Sequence, residues 1–382
     1  MTAGILFGLV GCLVFVRLAY GMDRAEQNTA QLVRVQQIQS NLLTADATAT
    51  NAFLVGGLEP DAQRLRYDQA IQATSTLVAQ AADAQRADAD ALAALNRSVL
   101  AYAATIEQAR ANNRQGLPVG AQYLRGASAQ LRGEALPVLD NLNVANTGRA
   151  ADEMDLGAGW LLIPLGLVVL TSLIATMVWL ARRFRRRINV GVLVAALVVA
   201  AALLGSVVGM IQLSQRLSDL RQSSFSSLTA AANARIQANN AKSNESLTLI
   251  ARGSGASFEK AWVESSARVQ RSVSEVRDSD LDRLWSGYST VHKQIRALDD
   301  GGAWEKAVAT ATGTGAGSSN ATFGAFDSAA AAELESAGGT VASELAAAQP
   351  GLVTAAALTL IAGLAAAVLA RRGLAERLRE YR

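Results

Sequence analysis

The sequence predicts an all-α membrane protein in which four transmembrane helices bear two tandem extracytoplasmic antiparallel four-helix bundles. Of the 382 residues, 51% are hydrophobic, and that content is aliphatic rather than aromatic. Alternating β-branched runs, which would indicate strands, are not evident. Four apolar stretches, each of about 20 residues as a bilayer-spanning helix requires, divide the chain into two long polar segments.

The four spans are predicted at residues 1–21, 157–181, 188–213 and 350–370. Arg17 lies near the outer end of the first span, where its long side chain can reach the interface. This span lacks a basic leader and a clear small-residue cleavage site, which favours an uncleaved anchor over a signal peptide. The second and third spans contain no charged residue between 157–180 and 188–213.

Arginine placement predicts the orientation in the plasma membrane. A loop at 182–187 and a tail at 371–382 hold the clustered cations Arg182, Arg183, Arg185, Arg186, Arg187, Arg371 and Arg372. Because positive segments beside spans stay cytoplasmic, both termini are expected inside and residues 22–156 and 214–349 outside. Since the excess of basic over acidic residues is confined to these short lipid-adjacent pieces, it does not indicate nucleic-acid binding.

The chain reads as a tandem duplication, because each half is a span, a long polar segment and a second span. Six residues recur 186 positions later, and the pairs are Leu95 and Leu281, Arg97 and Arg283, Tyr102 and Tyr288, Gln108 and Gln294, Arg110 and Arg296, and Gly116 and Gly302. Order, length and residue identity together indicate a repeat.

Turn residues divide each polar segment into four helices. Breaks are predicted at residues 56–60, 83–88 and 112–118, and again at 253–255, 278–280 and 299–302. The third helix has an apolar stripe with the spacing of a bundle seam, formed by Leu92, Leu95, Val99, Tyr102 and Ile106. Residues 310–326 are rich in Gly, Ser and Thr, which predicts an irregular stretch.

Residues suited to catalysis or metal binding are few. One histidine cannot build a His-based metal site or triad, so no catalytic residue, metal or cofactor is predicted. His292 aligns with Ile106 on the seam, which favours a satisfied core histidine. Asp88, Asp90 and the pair 299–300 are expected to solvate turns or begin helices rather than bind metal.

The polar run from Lys242 to Ser246 leaves two interpretations. A solvated helix face with an i,i+3 ion pair is favoured. The alternative is a recognition surface that extends along the helix toward the end far from the membrane.

The run Ala52–Pro60, followed by Arg66 and Tyr67, resembles the first hairpin of bacterial four-helix-bundle sensory domains, which occur in chemoreceptors and sensor kinases. The full layout, together with the run Glu245–Gly255, resembles the GlnX-like actinobacterial transmembrane sensor proteins. That resemblance implies a non-enzymatic transducer that couples an extracytoplasmic solute-binding lipoprotein (GlnH-like, for amino acids) to a cytoplasmic Ser/Thr kinase (PknG-like). The implied output is control of nitrogen and 2-oxoglutarate metabolism.

Two other functions remain open at this point. One is a structural or accessory membrane subunit of an envelope or transporter complex. The other is a direct small-ligand sensor, which needs convergent polar groups in a bundle.

Partner contact is expected at the turns far from the membrane. In each bundle the first and third turns lie at that end, because the first helix leaves one span and the fourth enters the next. The predicted contact residues are Gly56, Leu58, Asn113, Arg252, Ser254, Phe258 and Asp300. Arg252 and Phe258 are the strongest candidates, because arginine and aromatic residues are enriched in binding hot spots. Phe258 can equally anchor its helix to the core.

Overall fold

The chain is all-α, as predicted. The computed structural model describes residues 1–184, 189–276 and 279–379, and no strand occurs among them. Within these residues, four helices contain stretches long and apolar enough to cross a membrane. These candidate spans lie within Thr2–Val55, Gly159–Arg182, Val190–Ile250 and Ser319–Ala375.

The first half of the chain contains six helices. Their bounds are α1 Thr2–Val55, α2 Asp61–Ala84, α3 Ala89–Arg114, α4 Val119–Gln130, α5 Leu136–Glu153 and α6 Leu162–Phe184. A π-helical stretch at Leu131–Ala135 joins α4 to α5, and short 3₁₀ turns lie at Arg86–Asp88 and Gly157–Leu161.

The second half follows the same order. Its helices are α7 Val190–Leu220, α8 Ser226–Ile250, α9 Ala256–Glu275, α10 Leu281–Asp300, α11 Trp304–Thr312 and α12 Ser319–Arg379. A π-helical stretch at Arg221–Phe225 connects α7 to α8.

The helix ends coincide with the predicted turn residues. α1 ends before Gly56 and Gly57, and both glycines have positive φ. Gly116 and Gly302, which the repeat pairs, have φ values of 69° and 78° at the ends of α3 and α10. Only glycine adopts this backbone conformation at little cost, so these residues fix where the two helices stop.

The described chain forms two compact units. One, here called the apolar unit, contains the chain up to Glu26, residues 149–221 and the chain from Ala342 onward. Its α1 and α12 approach closely at small residues. A Cβ placed on Gly4 would lie 3.0 Å from the backbone oxygen of Gly363, and one on Gly8 would lie 3.1 Å from the Gly363 Cα. Such small residues allow helices to pack tightly in lipid.

The other unit, here called the polar helical unit, contains Gln27–Gly148 and Gln222–Val341. It has an apolar core in each half of the chain. The predicted stripe on α3 is wholly buried in the first core. The second core is centred on aromatic side chains, with Trp285 ring centroids 5.0 Å from Tyr288 and 5.1 Å from Phe326.

The prediction of an irregular stretch over residues 310–326 is wrong for most of its length. α11 continues to Thr312 and α12 begins at Ser319, which leaves only residues 313–318 outside a helix. Phe323 and Phe326 are buried in the second core. These two aromatic side chains give the start of α12 an apolar face to bury, and that burial outweighs the weak helix propensity of Gly, Ser and Thr.

Candidate functional site

The polar run on α8 lies inside the polar helical unit, which corrects both interpretations of it. Every residue from Lys242 to Ser246 is buried. The i,i+3 ion pair between Lys242 and Glu245 is present at 2.8 Å, yet neither partner faces solvent. The sequence was misleading here because α8 is enclosed on nearly all sides, by helices of its own half and by α1.

Glu245 is the centre of a buried polar network in the second half. Its side chain is 0% exposed and accepts hydrogen bonds from Lys242, Ser319 and the Tyr288 hydroxyl. His292 Nδ1 lies 3.0 Å from Glu245 Oε2. Although burial alone would raise the pKa of Glu245, Lys242 and His292 lower it below its usual range. The carboxylate is therefore ionised inside the protein.

His292 is a satisfied core histidine, as predicted. Its side chain is 2% exposed, its second ring nitrogen lies 3.2 Å from Glu259, and its ring stacks on Trp262 at 3.6 Å. Burial lowers the pKa of His292, but the hydrogen bonds and charges of Glu245 and Glu259 outweigh that effect and raise it above its usual value. The imidazolium form is favoured because a carboxylate faces each nitrogen.

Asp46 on α1 is the corresponding buried carboxylate of the first half. It is 0% exposed and accepts from Tyr102, Ser128, Arg132 and Ser243. Ser243 belongs to α8, and Arg132 also donates to its hydroxyl at 2.9 Å. The Asp46 network therefore crosses from one half of the chain to the other.

The repeat pair Tyr102 and Tyr288 occupies matching surroundings. Tyr102 is buried on α3 and donates to Asp46 on α1, and Tyr288 is buried on α10 and donates to Glu245 on α8. Sequence reasoning identified the tyrosines and included Glu245 in the polar run, but it missed Asp46 and the burial of both carboxylates. Nothing in the local pattern of α1 or α8 marks those positions as buried.

Asp88 lies at the start of α3, which agrees with one of its two expected roles, but it does not face solvent. It is 1% exposed, and Gln31 and Asn146 donate to it at 3.2 and 2.9 Å. Asp90, Asp299 and Asp300 follow the expectation more closely, since they lie at helix ends with at least partial exposure. Among the described residues, no group of three or more His, Cys, Asp or Glu side chains is arranged to hold a metal.

The predicted contact residues of the first half lie together. Gly56 begins the turn after α1, and Leu58 in that turn is 83% exposed. Leu58 and Asn113 line one cavity of about 190 Å³ with Arg110, which is bonded to Glu59 at 2.9 Å. The first and third turns of this half are thus neighbours.

The predicted contact residues of the second half form a second group. Arg252 is exposed, has a positive φ of 37°, and places its guanidinium 3.9 Å from the Trp304 ring. Ser254 is exposed and Phe258 is partly buried at the start of α9. Asp300 pairs with Arg296 on the turn that precedes Trp304.

The arginines that predict orientation fall partly within the described chain. Arg182, Arg371 and Arg372 are exposed near the ends of α6 and α12. Arg183 follows Arg182 within α6, whereas Arg185, Arg186 and Arg187 lie outside the described residues.

Comparison with known families gives one finding. Residues 21–155 match the family described as "Actinobacterial sensor domain". No curated protein and no solved structure matches the chain. The matched range contains Asp46 with its partners Tyr102, Ser128 and Arg132, and also the first-half contact residues. The match points to a non-catalytic role. The chain therefore carries a segment similar to an actinobacterial sensor domain, which supports an actinobacterial sensor protein.

Proposed function

We propose that the chain is a non-enzymatic transmembrane signal transducer that passes a stimulus from its polar helical unit to its apolar helices. The observation that carries this proposal is helix continuity. α1 and α12 each contribute residues to both units without a break in the helix, over 54 and 61 residues. A continuous helix can transmit a small shift or rotation along its length.

The proposed topology follows from the arginines. Both termini and the loop 182–187 are cytoplasmic, and the two halves of the polar helical unit are extracytoplasmic. A cysteine placed at Asn113 or Asp300 is expected to react with an impermeant maleimide in intact cells, whereas one at Phe184 is not. Reaction of a cysteine at position 184 with the maleimide from outside would contradict this orientation.

The proposed upstream partner is an extracytoplasmic, amino-acid-binding lipoprotein (GlnH-like), and the downstream partner is a cytoplasmic Ser/Thr kinase (PknG-like). Support comes from the resemblance to GlnX-like proteins and from the sensor-domain match. The exposed Leu58 and Arg252 offer an apolar and a cationic contact on the two groups of turns. The output in this proposal is control of nitrogen and 2-oxoglutarate metabolism.

Disulfide crosslinking between α1 and α12 tests for a switch. A Cβ placed on Gly11 would lie 3.4 Å from the Thr359 Cβ, which is close to the spacing that a disulfide requires. The variant combines Gly11→Cys and Thr359→Cys with Cys12→Ser, which removes the native thiol. In native membranes, the crosslinking rate is expected to change when aspartate or glutamate is supplied.

An unchanged rate contradicts the transducer and favours the rival function, a structural or accessory subunit with one helix arrangement. The matched control adds alanine at Arg252, Phe258 and Asp300. In that control the rate without amino acid is expected to stay the same, and the response to amino acid is expected to disappear.

Arg252 is the sharpest single test of partner docking. Arg252→Ala is expected to weaken binding of the solute-binding partner by roughly 1 kcal/mol or more, because it removes an exposed cation held over Trp304. Pulldown of the partner with the detergent-solubilised chain measures this change. If binding survives alanine at Arg252, Phe258 and Asp300 together, the docking surface lies elsewhere.

A further inference from the structure

A cavity within the polar helical unit lies where the two halves of the chain meet. Its volume is about 280 Å³, and α1, α2, α8 and the start of α12 surround it. Its polar lining residues are Thr44, Thr48, Asn51, Gln63, Arg66, Asn239, Lys242, Thr314 and Asn320.

The lining favours an anion. It contains two cations, Arg66 and Lys242, and none of its residues is Asp or Glu. Lys242 is hydrogen-bonded to Glu245, Ser319 and a backbone oxygen, so Glu245 offsets its charge and the donors for an anion come from Arg66. The cavity also borders the first residues of α12, where the N-terminal end of a long helix attracts negative charge.

Arg66 supplies the donors. Its guanidinium makes one hydrogen bond to Asp327 at 3.1 Å, and Arg235 binds the same carboxylate at 2.8 Å. A guanidinium has five N–H groups, so most of those on Arg66 remain available within the described chain. Arg66 is half-exposed at the cavity edge and can bind a carboxylate in a bidentate manner without abandoning Asp327.

Gln63 supplies an unused acceptor. Its Nε2 donates to Asn51 Oδ1 at 3.0 Å, while its Oε1 is shielded from solvent and receives no hydrogen bond from the described residues. Rotating the amide by half a turn would set its oxygen against Asn51 Oδ1. Asn51 is fixed in turn, because its Nδ2 donates to the backbone oxygen of Ala311. A buried acceptor without a donor is costly, and a ligand N–H or O–H would satisfy it once the Gln63 side chain shifts to open this oxygen to the cavity.

We propose that this cavity binds a small carboxylate that also carries an N–H or O–H donor, either an amino acid or a hydroxy acid. The carboxylate lies against Arg66, and the donor lies against Gln63. This inference goes beyond the proposed function, since it requires no partner protein. A ligand there touches α1 and α2 of one half and α8 and α12 of the other, so its binding links the two halves.

Direct binding to the purified full chain in detergent tests the proposal, with isothermal titration calorimetry as the readout. The probes are aspartate as an amino acid, malate as a hydroxy acid, succinate as a dicarboxylate without a further donor, and ethanolamine as an amine without a carboxylate. Aspartate or malate is expected to bind most tightly, succinate more weakly, and ethanolamine not at all. Which of the first two binds better distinguishes the amino acid from the hydroxy acid.

Three variants locate the site. Arg66→Gln is expected to lower the affinity for aspartate and malate by about tenfold or more, because it removes at least one charge-assisted hydrogen bond. Gln63→Met is expected to weaken them several-fold and to leave succinate unchanged. Arg64→Gln is the matched control, because Arg64 lies on the same helix with a side chain 43% exposed against 44% for Arg66, yet does not line the cavity.

Circular dichroism checks that each variant keeps its helicity. Arg66→Lys retains the cation beside Asp327 and is expected to bind aspartate and malate with intermediate affinity. No binding of aspartate, malate or succinate at millimolar concentration overturns the proposal. So does binding that Arg66→Gln and Gln63→Met leave unchanged, or binding that Arg64→Gln weakens equally. Failure here would leave the crosslinking result, and hence the transducer proposal, untouched.

Discussion

The two halves of the polar helical unit each bury a carboxylate against a tyrosine, but they neutralise it differently. Asp46 is met by Arg132, which is 28% exposed and also bonds Ser243 of the other half. Glu245 is met by Lys242 and His292, which are both buried and belong to its own half. The first network connects the halves, whereas the second confines charge within one. The same pairing of tyrosine and carboxylate therefore joins the two halves at Asp46 and encloses a charged cluster within one half at Glu245.

The largest expected effect is the loss of Glu245. Glu245→Ala leaves Lys242 and His292 buried without their shared counter-charge, which costs about 3–5 kcal/mol of unfolding free energy. Asp46→Ala is expected to cost less, about 2–3 kcal/mol, because Arg132 can turn its guanidinium to solvent. Thermal unfolding of the full chain in detergent, followed by circular dichroism, ranks the two variants.

An exposed carboxylate provides the control for that ranking. Glu264 on α9 has a side chain 52% exposed and an ion pair of 3.8 Å with Arg268. Glu264→Ala is therefore expected to change stability by less than about 1 kcal/mol. Equal losses for Glu245→Ala and Asp46→Ala would contradict the difference drawn between the two networks.

The next effect is a pH dependence confined to the second network. The folded-state pKa of His292 is raised above the unfolded value of about 6.5, because Glu245 and Glu259 outweigh its burial. Its contribution to stability is thus complete below about pH 6.5 and is lost as the pH rises through the folded-state value. As the pH rises above about 6.5, the melting temperature of the wild type is expected to fall toward that of His292→Gln.

Other titratable and charged groups face the same histidine, so the difference between wild type and variant is the quantity to measure. The groups are Glu245 and Lys242 from α8, Glu259 from α9, and Tyr288 and Arg296 from α10. Burial lowers the pKa of Lys242, which acts in the opposite direction at higher pH. A gap between wild type and His292→Gln that stays constant with pH would show that His292 does not titrate in this range.

Much of the fold could be predicted because its signals are local. Mean hydropathy locates the spans, glycines mark the helix ends, and the 3-4 spacing from Leu92 to Ile106 marks a buried face. The buried networks could not be predicted, because they depend on contacts between distant residues. Thr44 and Asn239 are hydrogen-bonded although they lie 195 positions apart in the sequence, and the periodicity of either helix does not indicate that contact. The polar run on α8 looked solvated because its own composition is polar, while its burial is set by α1 and the second core.

The smallest effect sharpens the comparison most, because it isolates the link between halves. Ser243 donates to Asp46 at 2.7 Å and accepts from Arg132 at 2.9 Å, so Ser243→Ala is expected to cost about 1 kcal/mol. Ser246 is the matched control, since it is equally buried on α8 but donates to the Lys242 backbone oxygen. In a double-mutant cycle with Asp46→Ala, Ser243→Ala is expected to be non-additive by at least about 0.5 kcal/mol, and Ser246→Ala additive. Additivity at Ser243 would mean that the Asp46 network stabilises the first half alone, and the contrast with Glu245 would then lie in charge burial only.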